Sequence, residues 1–445
     1  MKGHDPGAAL SASPEGHRQA DPGRVLVVGG GLAGLTAALA AARLGFKVAL
    51  AACGEGSLSI SGACIDVLGY TEGRPVRGDP LEAFPLLPED HPYRLVGGET
   101  VRRALAFFTE VCRAGDLDYP PFAPEAPNVW VPTLLGAFKP TRLYFSSMHR
   151  EALAAAGRIV LPLLPWLKDC RTDLAARELK KQKRLGKITL LTPNLPNPFG
   201  EKRSARRDLT QLDMARWVDS PEGEAWLQHV LGPYADQGTA ILIPPVLGLA
   251  RHGAILRKLR EKFGAVWVEM LTPPPGVGGL RVRRAFLQAL DLAGVERIEN
   301  AAITGAHTEG KRCLALFSSK RSWEAAFFII ATGGFLGGGL SASPGQAREA
   351  IFNLDLGAPA DVEAWSSPDV FASQPFSRLG VRVNARLNPI SPTGGVLLEN
   401  VFFAGRTLGG YDFAVEKSGG GVALATGFHA ARQCCGPESG NTYAE

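Results

Sequence analysis

The 445-residue chain is poor in cysteine: seven residues, Cys53, Cys64, Cys112, Cys170, Cys313, Cys434 and Cys435, odd in number and without a C-x-x-C pair. That excludes a disulfide framework and a cysteine-ligated zinc or iron–sulfur site within this chain, and it points to a reducing, cytoplasmic compartment. Long hydrophobic runs are missing as well. The stretch Ala240 to Ala250 is apolar but broken by Pro244 and Pro245, and nothing approaches the ~20 apolar residues a membrane helix needs. Residues 1–22 lack the apolar region of a secretory signal and read as a disordered tail. There is no His/Glu pair at metal-ligand spacing and no G-x-S-x-G, so metal-assisted hydrolysis and acyl transfer have no support. Net charge is only +5, and no aromatic-interleaved basic pattern accompanies it, which argues against nucleic acid.

Glycine is what the chain has in excess: 53 residues, about 12% against roughly 7% in average usage. Ten of these fall in residues 23–69 and seventeen in 333–427, so half the glycines occupy about a third of the chain. In the first cluster, the apolar run Arg24 to Val28 leads into Gly29-Gly-Gly-Leu-Ala-Gly34, an Ala-rich helical stretch to Leu44, and a second apolar run from Phe46 to Ala52. This is a βαβ unit with G-x-G-x-x-G at its first turn. Gly29 serves the tight turn, Gly31 the close approach of a pyrophosphate, and Gly34 the packing of helix on strand. Gly30, Leu32 and Ala33 complete the loop, whose helix N-terminus favours phosphate. The acid expected at the end of the second strand to bind a ribose 2′-OH is absent from Ala51 to Cys53, with Glu55 lying just beyond. Its absence leaves a dinucleotide or a shorter flavin nucleotide open.

Two later segments favour flavin over nicotinamide. A strand pattern from Ala325 ends in Ala331-Thr332-Gly333, and Asn400-Val-Phe-Phe-Ala-Gly405-Arg406 reads as the last strand of a discontinuous domain, followed by Gly420-Gly421-Val422 at a helix start. A helix N-terminus there stabilises negative charge on a reduced flavin. Ser61 and Gly62, in the hydroxyl-rich loop after the second strand, suit phosphate or flavin-edge contacts, or a simple hydroxyl-capped turn. The expected fold is α/β: a Rossmann-like, discontinuous flavin-binding domain with a parallel sheet and helices, plus an inserted α+β substrate or cap domain. Its divisions are a tail at 1–22, the flavin domain at 23–150 and 319–432, the insertion at 151–318, and a C-terminal tail at 433–445. Helices are expected at 99–116, 209–218, 221–230, 252–263 and 421–432, with aromatic strand pieces at 128–133 and 142–145.

Oxidation of a secondary alcohol by flavin requires a base for the hydroxyl proton, and cations if the substrate is a small anion. His252 and His149 are candidate bases. Lys139, Arg142, Arg251, Arg281, Arg283 and Arg284 are candidate cations, with Lys139, Arg281 and His252 favoured. Residues 171–210 carry eleven Lys/Arg against four Asp/Glu, either a solvated face or a contact for an acidic partner or anionic membrane.

The segments Val27 to Gly34, Ser61 to Gly69, Val131 to Thr141, Pro273 to Arg281, Phe403 to Asp412 and Gly420 to Ala423, in this order, resemble the B subunit family of anaerobic glycerol-3-phosphate dehydrogenase. The resemblance implies FMN, where the fold pattern implies FAD. It also implies a respiratory complex with an A-type flavoprotein subunit, the better site for substrate oxidation, and a C-type iron–sulfur subunit that meets membrane and quinone. This chain would then be peripheral on the cytoplasmic membrane face through a partner, handling glycerol 3-phosphate or its electrons. The alternatives are a self-sufficient flavin oxidoreductase of the fumarate reductase or succinate dehydrogenase type, and a scaffold subunit that has lost flavin.

Overall fold

A computed structural model describes residues 23–148, 150–182, 188–200 and 209–435. Both expected tails (save residues 433–435), His149, and Lys183, Arg184 and Lys187 of the basic stretch lie outside the described residues.

The run Arg24–Val28 forms strand β1 because Val25 to Val28 are apolar on both faces, the pattern of a strand covered on two sides. The glycine turn leads into helix α1 (Leu32–Arg43) and strand β2 (Lys47–Ala52). Helix α2 (Gly98–Ala114) follows, its apolar positions Val101, Ala104, Leu105, Phe108 and Val111 at helical spacing and buried. Next comes an antiparallel hairpin, β3 (Val129–Pro132) and β4 (Phe138–Thr141). The aromatic piece 142–145, expected as a strand, makes only an isolated bridge from Leu143 to Ile65. The strand lies just before it and contains Pro140, tolerated because a two-stranded ribbon leaves an edge that needs no donor.

The chain then builds a second sheet from β5 (Arg158–Val160), β6 (Thr189–Leu191), β7 (Thr239–Ile243) and, after helix α3 (His252–Lys262), β8 (Val266–Glu269). It returns to the first layer with helix α4 (Val277–Leu292), β9 (Glu296–Glu299), β10 (Phe327–Ile330), β11 (Val401–Phe403) and helix α5 (Gly419–Gln433).

The main sheet has order β9-β2-β1-β10-β11 and is parallel throughout, with Val25 facing both Val48 and Phe327. Crossing helices cover it. Small residues let α1 and α5 approach: a Cβ on Gly427 would stand 2.3 Å from the Ala33 carbonyl oxygen. The second sheet, order β8-β7-β5-β6, is also parallel. The insertion expected to be α+β therefore carries an α/β sheet of its own.

Two separate apolar cores result. One spans both halves of the main sheet, and the other draws on residues between Leu134 and Met270. The insertion expected over 151–318 thus ends near 270, because Val282, Ala285, Phe286 and Leu290 of α4 belong to the first core. Glycines at the start of α4 fasten it there: a Cβ on Gly279 would fall 1.8 Å from the Leu58 carbonyl oxygen, and one on Gly276 would fall 2.2 Å from that of Ser61. The Pro-rich stretch before α4 is therefore a clamp on the 58–62 turn, a long-range fit that local composition does not encode.

Candidate functional site

The carboxyl ends of β1, β10 and β11 meet the N-termini of α1 and α5 at one edge of the main sheet. Ligands bind at such an edge in open parallel sheets. Gly29 has φ +124°, and a Cβ there would stand 2.2 Å from the Ala331 carbonyl oxygen. A Cβ on Gly34 would stand 1.8 Å from the Gly29 carbonyl oxygen, so helix and turn touch backbone to backbone. Gly31 differs: its Cβ would meet only the Gly56 Cα, at 3.9 Å. The protein itself does not need a glycine there, whereas a diphosphate laid on the turn does. No side chain caps the N-terminus of α1.

The other predicted segments converge on the same edge. The Gly333 N–H donates to the buried Thr407 hydroxyl (3.1 Å), and the Gly405 N–H donates to the Thr426 hydroxyl (2.8 Å). Gly405 lies against Ala33, with 2.8 Å from its would-be Cβ to the Ala33 Cβ. At α5 the Gly421 N–H donates to the Asp66 carbonyl (2.8 Å), and Val422 is buried. Ser61 uses its hydroxyl to accept the Ala63 N–H (3.1 Å), the hydroxyl-capped turn, while Gly62 faces Leu271. Leu32, Gly30 and Gly420 close the ring, Gly30 under the Gly54 carbonyl and Gly420 beside the Asp66 N–H.

Three buried polar atoms on this edge have no hydrogen-bond partner among the described residues: Thr332 Oγ1, Arg406 Nη1 and Asp66 Oδ1. Buried polar groups are rarely left so. Together with the bare glycine backbone they fit a flavin dinucleotide, held by Gly29 to Gly34, Ala331 to Gly333 and the start of α5. Thr407, Thr426 and Asp66 also stand at this edge, and single-residue reading did not pick them out. Thr407 and Asp66 lie inside the matching segments, so the segments themselves held that signal. At the adenosine end, Ala52 stands where an acid is usual, and Glu55 has Arg283 Nη1 at 3.7 Å.

The favoured catalytic residues separate. Lys139 is at the site: its ammonium pairs with the Asp66 carboxylate. Burial alone would lower its pKa, but Asp66 outweighs that and raises it, keeping the side chain charged. Cys64 beside it is pushed up to about 12 by burial and stays a thiol.

Arg281 and His252 are not at the site. Both are fully buried between the two cores, locked to Glu269 of β8. Arg281 donates from Nη1 and Nη2 to the two carboxylate oxygens at 2.8 and 3.0 Å, and from Nε to the Gly248 carbonyl at 2.8 Å. His252 Nε2 lies 3.2 Å from Glu269 Oε2. They are corrected from candidate catalytic groups to the members of an interdomain ion cluster. The sequence showed their charge, but burial is set by tertiary packing. Of the other candidate cations, Arg142 is buried with a guanidinium donated to the Ala123 carbonyl, and Arg251 serves Asp219 and Glu224. Among the described residues no group of three His, Cys, Asp or Glu is placed to hold a metal, and no helix is long and apolar enough to cross a membrane.

Fold and edge define a class, the FAD-dependent oxidoreductases, and the model of the FAD binding domain family matches residues 24–422. Between the two flavins left open by sequence, the match speaks for FAD. The probable B subunit of anaerobic glycerol-3-phosphate dehydrogenase from Halobacterium salinarum is 33% identical over 415 residues, covering 91% of this chain and 96% of the relative. The B subunit of the Vibrio cholerae anaerobic glycerol-3-phosphate dehydrogenase is 30% identical over 421 residues, covering 92% and 95%. That of Aliivibrio fischeri is 28% identical over 450 residues, covering 94% and 98%. The chain belongs to the B subunit family of anaerobic glycerol-3-phosphate dehydrogenase, and is thus a flavoprotein component of a multi-subunit enzyme.

Proposed function

We propose that this chain is the redox subunit through which electrons from glycerol 3-phosphate pass to an iron–sulfur partner and on to quinone. It would work beside an A-type flavoprotein subunit and sit peripherally on the cytoplasmic face of the membrane through a partner. The observation that carries the reading is the glycine-walled edge with its three partnerless polar atoms, Thr332 Oγ1, Arg406 Nη1 and Asp66 Oδ1. Bound there, FAD supplies a two-electron acceptor that can release electrons singly.

The chain's own residues hold and bias that group. Backbone at Gly29 to Gly31 and the free end of α1 receive the diphosphate. The N-terminus of α5 sets positive potential at the other end, favouring negative charge there, while the Lys139 ammonium, kept protonated, offsets the charge of Asp66 beside it. Neither His252 nor Arg281 reaches the edge, so no proton step is assigned to them.

The test is purification of the full chain alone and with its co-purifying subunits, followed by release and chromatographic identification of the flavin. The expected result is a yellow protein containing FAD, whose flavin band bleaches when glycerol 3-phosphate is added to the assembled complex. A colourless chain under gentle purification would sink the redox reading and favour a scaffold.

A further inference from the structure

Beside the cofactor edge a loop carries large apolar side chains into solvent. Phe371 is 94% exposed and Val370 78%, and Leu336, two residues beyond Gly334, is fully exposed. Phe376 and Phe413 are exposed as well. A single exposed apolar residue is ordinary, whereas five gathered around one feature mark an interaction surface. Arg406 gathers the segments that bear them. Its Cγ lies 3.0 Å from where a Cβ on Gly334 would stand, its guanidinium lies 4.8 Å from the centre of the Phe413 ring, and its Nη2 donates to the Ser377 carbonyl. Ser373, two residues after Phe371, donates its hydroxyl to Asp412 Oδ2 at 2.7 Å, next to Phe413.

The loop is held in this shape from within. Gln374 accepts the Ser367 N–H at 2.9 Å and donates from Nε2 to the carbonyls of Asp369 and Ala372 at 2.9 and 3.2 Å. The Phe371 N–H donates to Asp369 Oδ1 at 2.9 Å. A tip shaped in advance binds with less ordering cost, and a buried aromatic anchor is what dominates an interface. The charge around the tip has one sign. Between Arg348 and Arg378 the sequence has five acidic residues and no Lys or Arg. Glu349 is buried. Asp355, Asp361, Glu363 and Asp369 are exposed, and among the described residues none has a cation within ion-pair distance. Four unpaired carboxylates, in a chain of net charge +5, repel an anionic membrane and attract a cationic rim.

We infer that the 361–376 loop, with Leu336 and Phe413, is the surface on which an iron–sulfur subunit of the same enzyme docks. That subunit presents an apolar pocket for Val370 and Phe371, rimmed by Lys and Arg that meet Asp361, Glu363 and Asp369. Its place follows from the cofactor edge: an electron leaves a flavin only for an acceptor a short distance away, and Arg406 joins this rim directly to the edge. The inference rests on the proposed redox reading for the identity of the subunit, though not for the presence of the interface.

The test is biolayer interferometry of the FAD-loaded full chain against the purified iron–sulfur subunit, at low and at physiological salt. Wild type is compared with an apolar variant, Val370→Ser/Phe371→Ser, and an acidic-loop variant, Asp361→Asn/Glu363→Gln/Asp369→Asn. Released flavin and melting temperature check that each variant is folded and loaded. The expected result is binding at least tenfold weaker in the apolar variant. The acidic-loop variant is expected to associate more slowly and to lose most of the salt dependence. Equal affinity of wild type and the apolar variant overturns the surface and leaves the redox reading standing. Binding lost in the apolar variant, with no oxidation of dithionite-reduced wild-type flavin by the oxidised iron–sulfur subunit, supports the surface and counts against the redox reading. Absence of binding by wild type overturns the surface. So does a wild type that instead binds vesicles of phosphatidylcholine with phosphatidylglycerol, or self-associates, and loses this in the apolar variant.

Discussion

At the scale of single residues, Gly31 and Gly34 occupy one motif but answer to different constraints. Gly31 has ordinary backbone, φ −83°, and room for a methyl group on the protein side. Gly31→Ala is expected to fold and melt like wild type while binding FAD at least tenfold more weakly, about 1.4 kcal/mol, because the added methyl enters the space of the diphosphate. Gly34→Ala drives a Cβ into the Gly29 carbonyl oxygen. It is expected to cost about 1–3 kcal/mol of stability even without cofactor. Thermal melts of the apoproteins and flavin titrations separate the two, and equal melting temperatures for both variants would contradict this division. Such residues were legible because the spacing of the motif is local. Arg281 and His252 were misread because a side chain's charge is visible in sequence and its burial is not. Glu269, which holds them both, carried no local signal at all.

At the scale of elements, that cluster joins three of them: α3 through His252, β8 through Glu269 and α4 through Arg281. Burial would raise the Glu269 carboxyl, but the Arg281 guanidinium and then His252 outweigh it and hold it well below the usual carboxylate range. Burial, with Arg281 next, lowers the His252 pKa, and its Nδ1 has no partner to receive a proton's new N–H. Both shifts favour the native state at neutral pH, and acid removes both. Below about pH 6.5 the unfolded chain protonates its histidine before the native one does, so stability falls as pH falls; below about 4.3 the Glu269 contribution is lost as well. Melts across this range are expected to decline in two stages, with His252→Gln flattening the upper stage only. Glu269→Gln leaves Arg281 buried without its counter-charge and is expected to cost about 3–5 kcal/mol at neutral pH. A melting profile in His252→Gln with an unchanged upper stage would remove His252 from this account. The β1–α1–β2 unit and the closing strand and helix were legible from periodicity and glycine turns. The strand β4 was not, because Pro140 reads as a breaker until its edge position is known.

At the scale of the whole molecule, the two apolar cores form separate units, each around its own parallel sheet. The sequence announced an insertion but not its end near residue 270. The glycine clamp of α4 on the 58–62 turn and its buried residues Val282, Ala285, Phe286 and Leu290 assign it to the first core, and neither is a local signal. The residues proposed to hold FAD all belong to the first unit, so on that reading its binding energy enters that unit directly. At a hundred times its dissociation constant it adds about 2.7 kcal/mol to whatever unfolds with the site. The second core feels this through its connections, among them the β3–β4 hairpin, whose Leu134 N–H donates to the Leu271 carbonyl at 2.8 Å, the Arg257–Asp116 and Arg260–Asp118 ion pairs of α3, and the Glu269 cluster. Calorimetry of the full chain is therefore expected to show two overlapping transitions, with FAD raising the first-core transition more than the second. In Glu269→Gln the second transition should drop away from the first and respond less to FAD. A single transition in wild type that stays single in Glu269→Gln, moving as one with FAD, would mean that the hairpin and the ion pairs of α3 with Asp116 and Asp118 couple the cores and that the buried cluster does not.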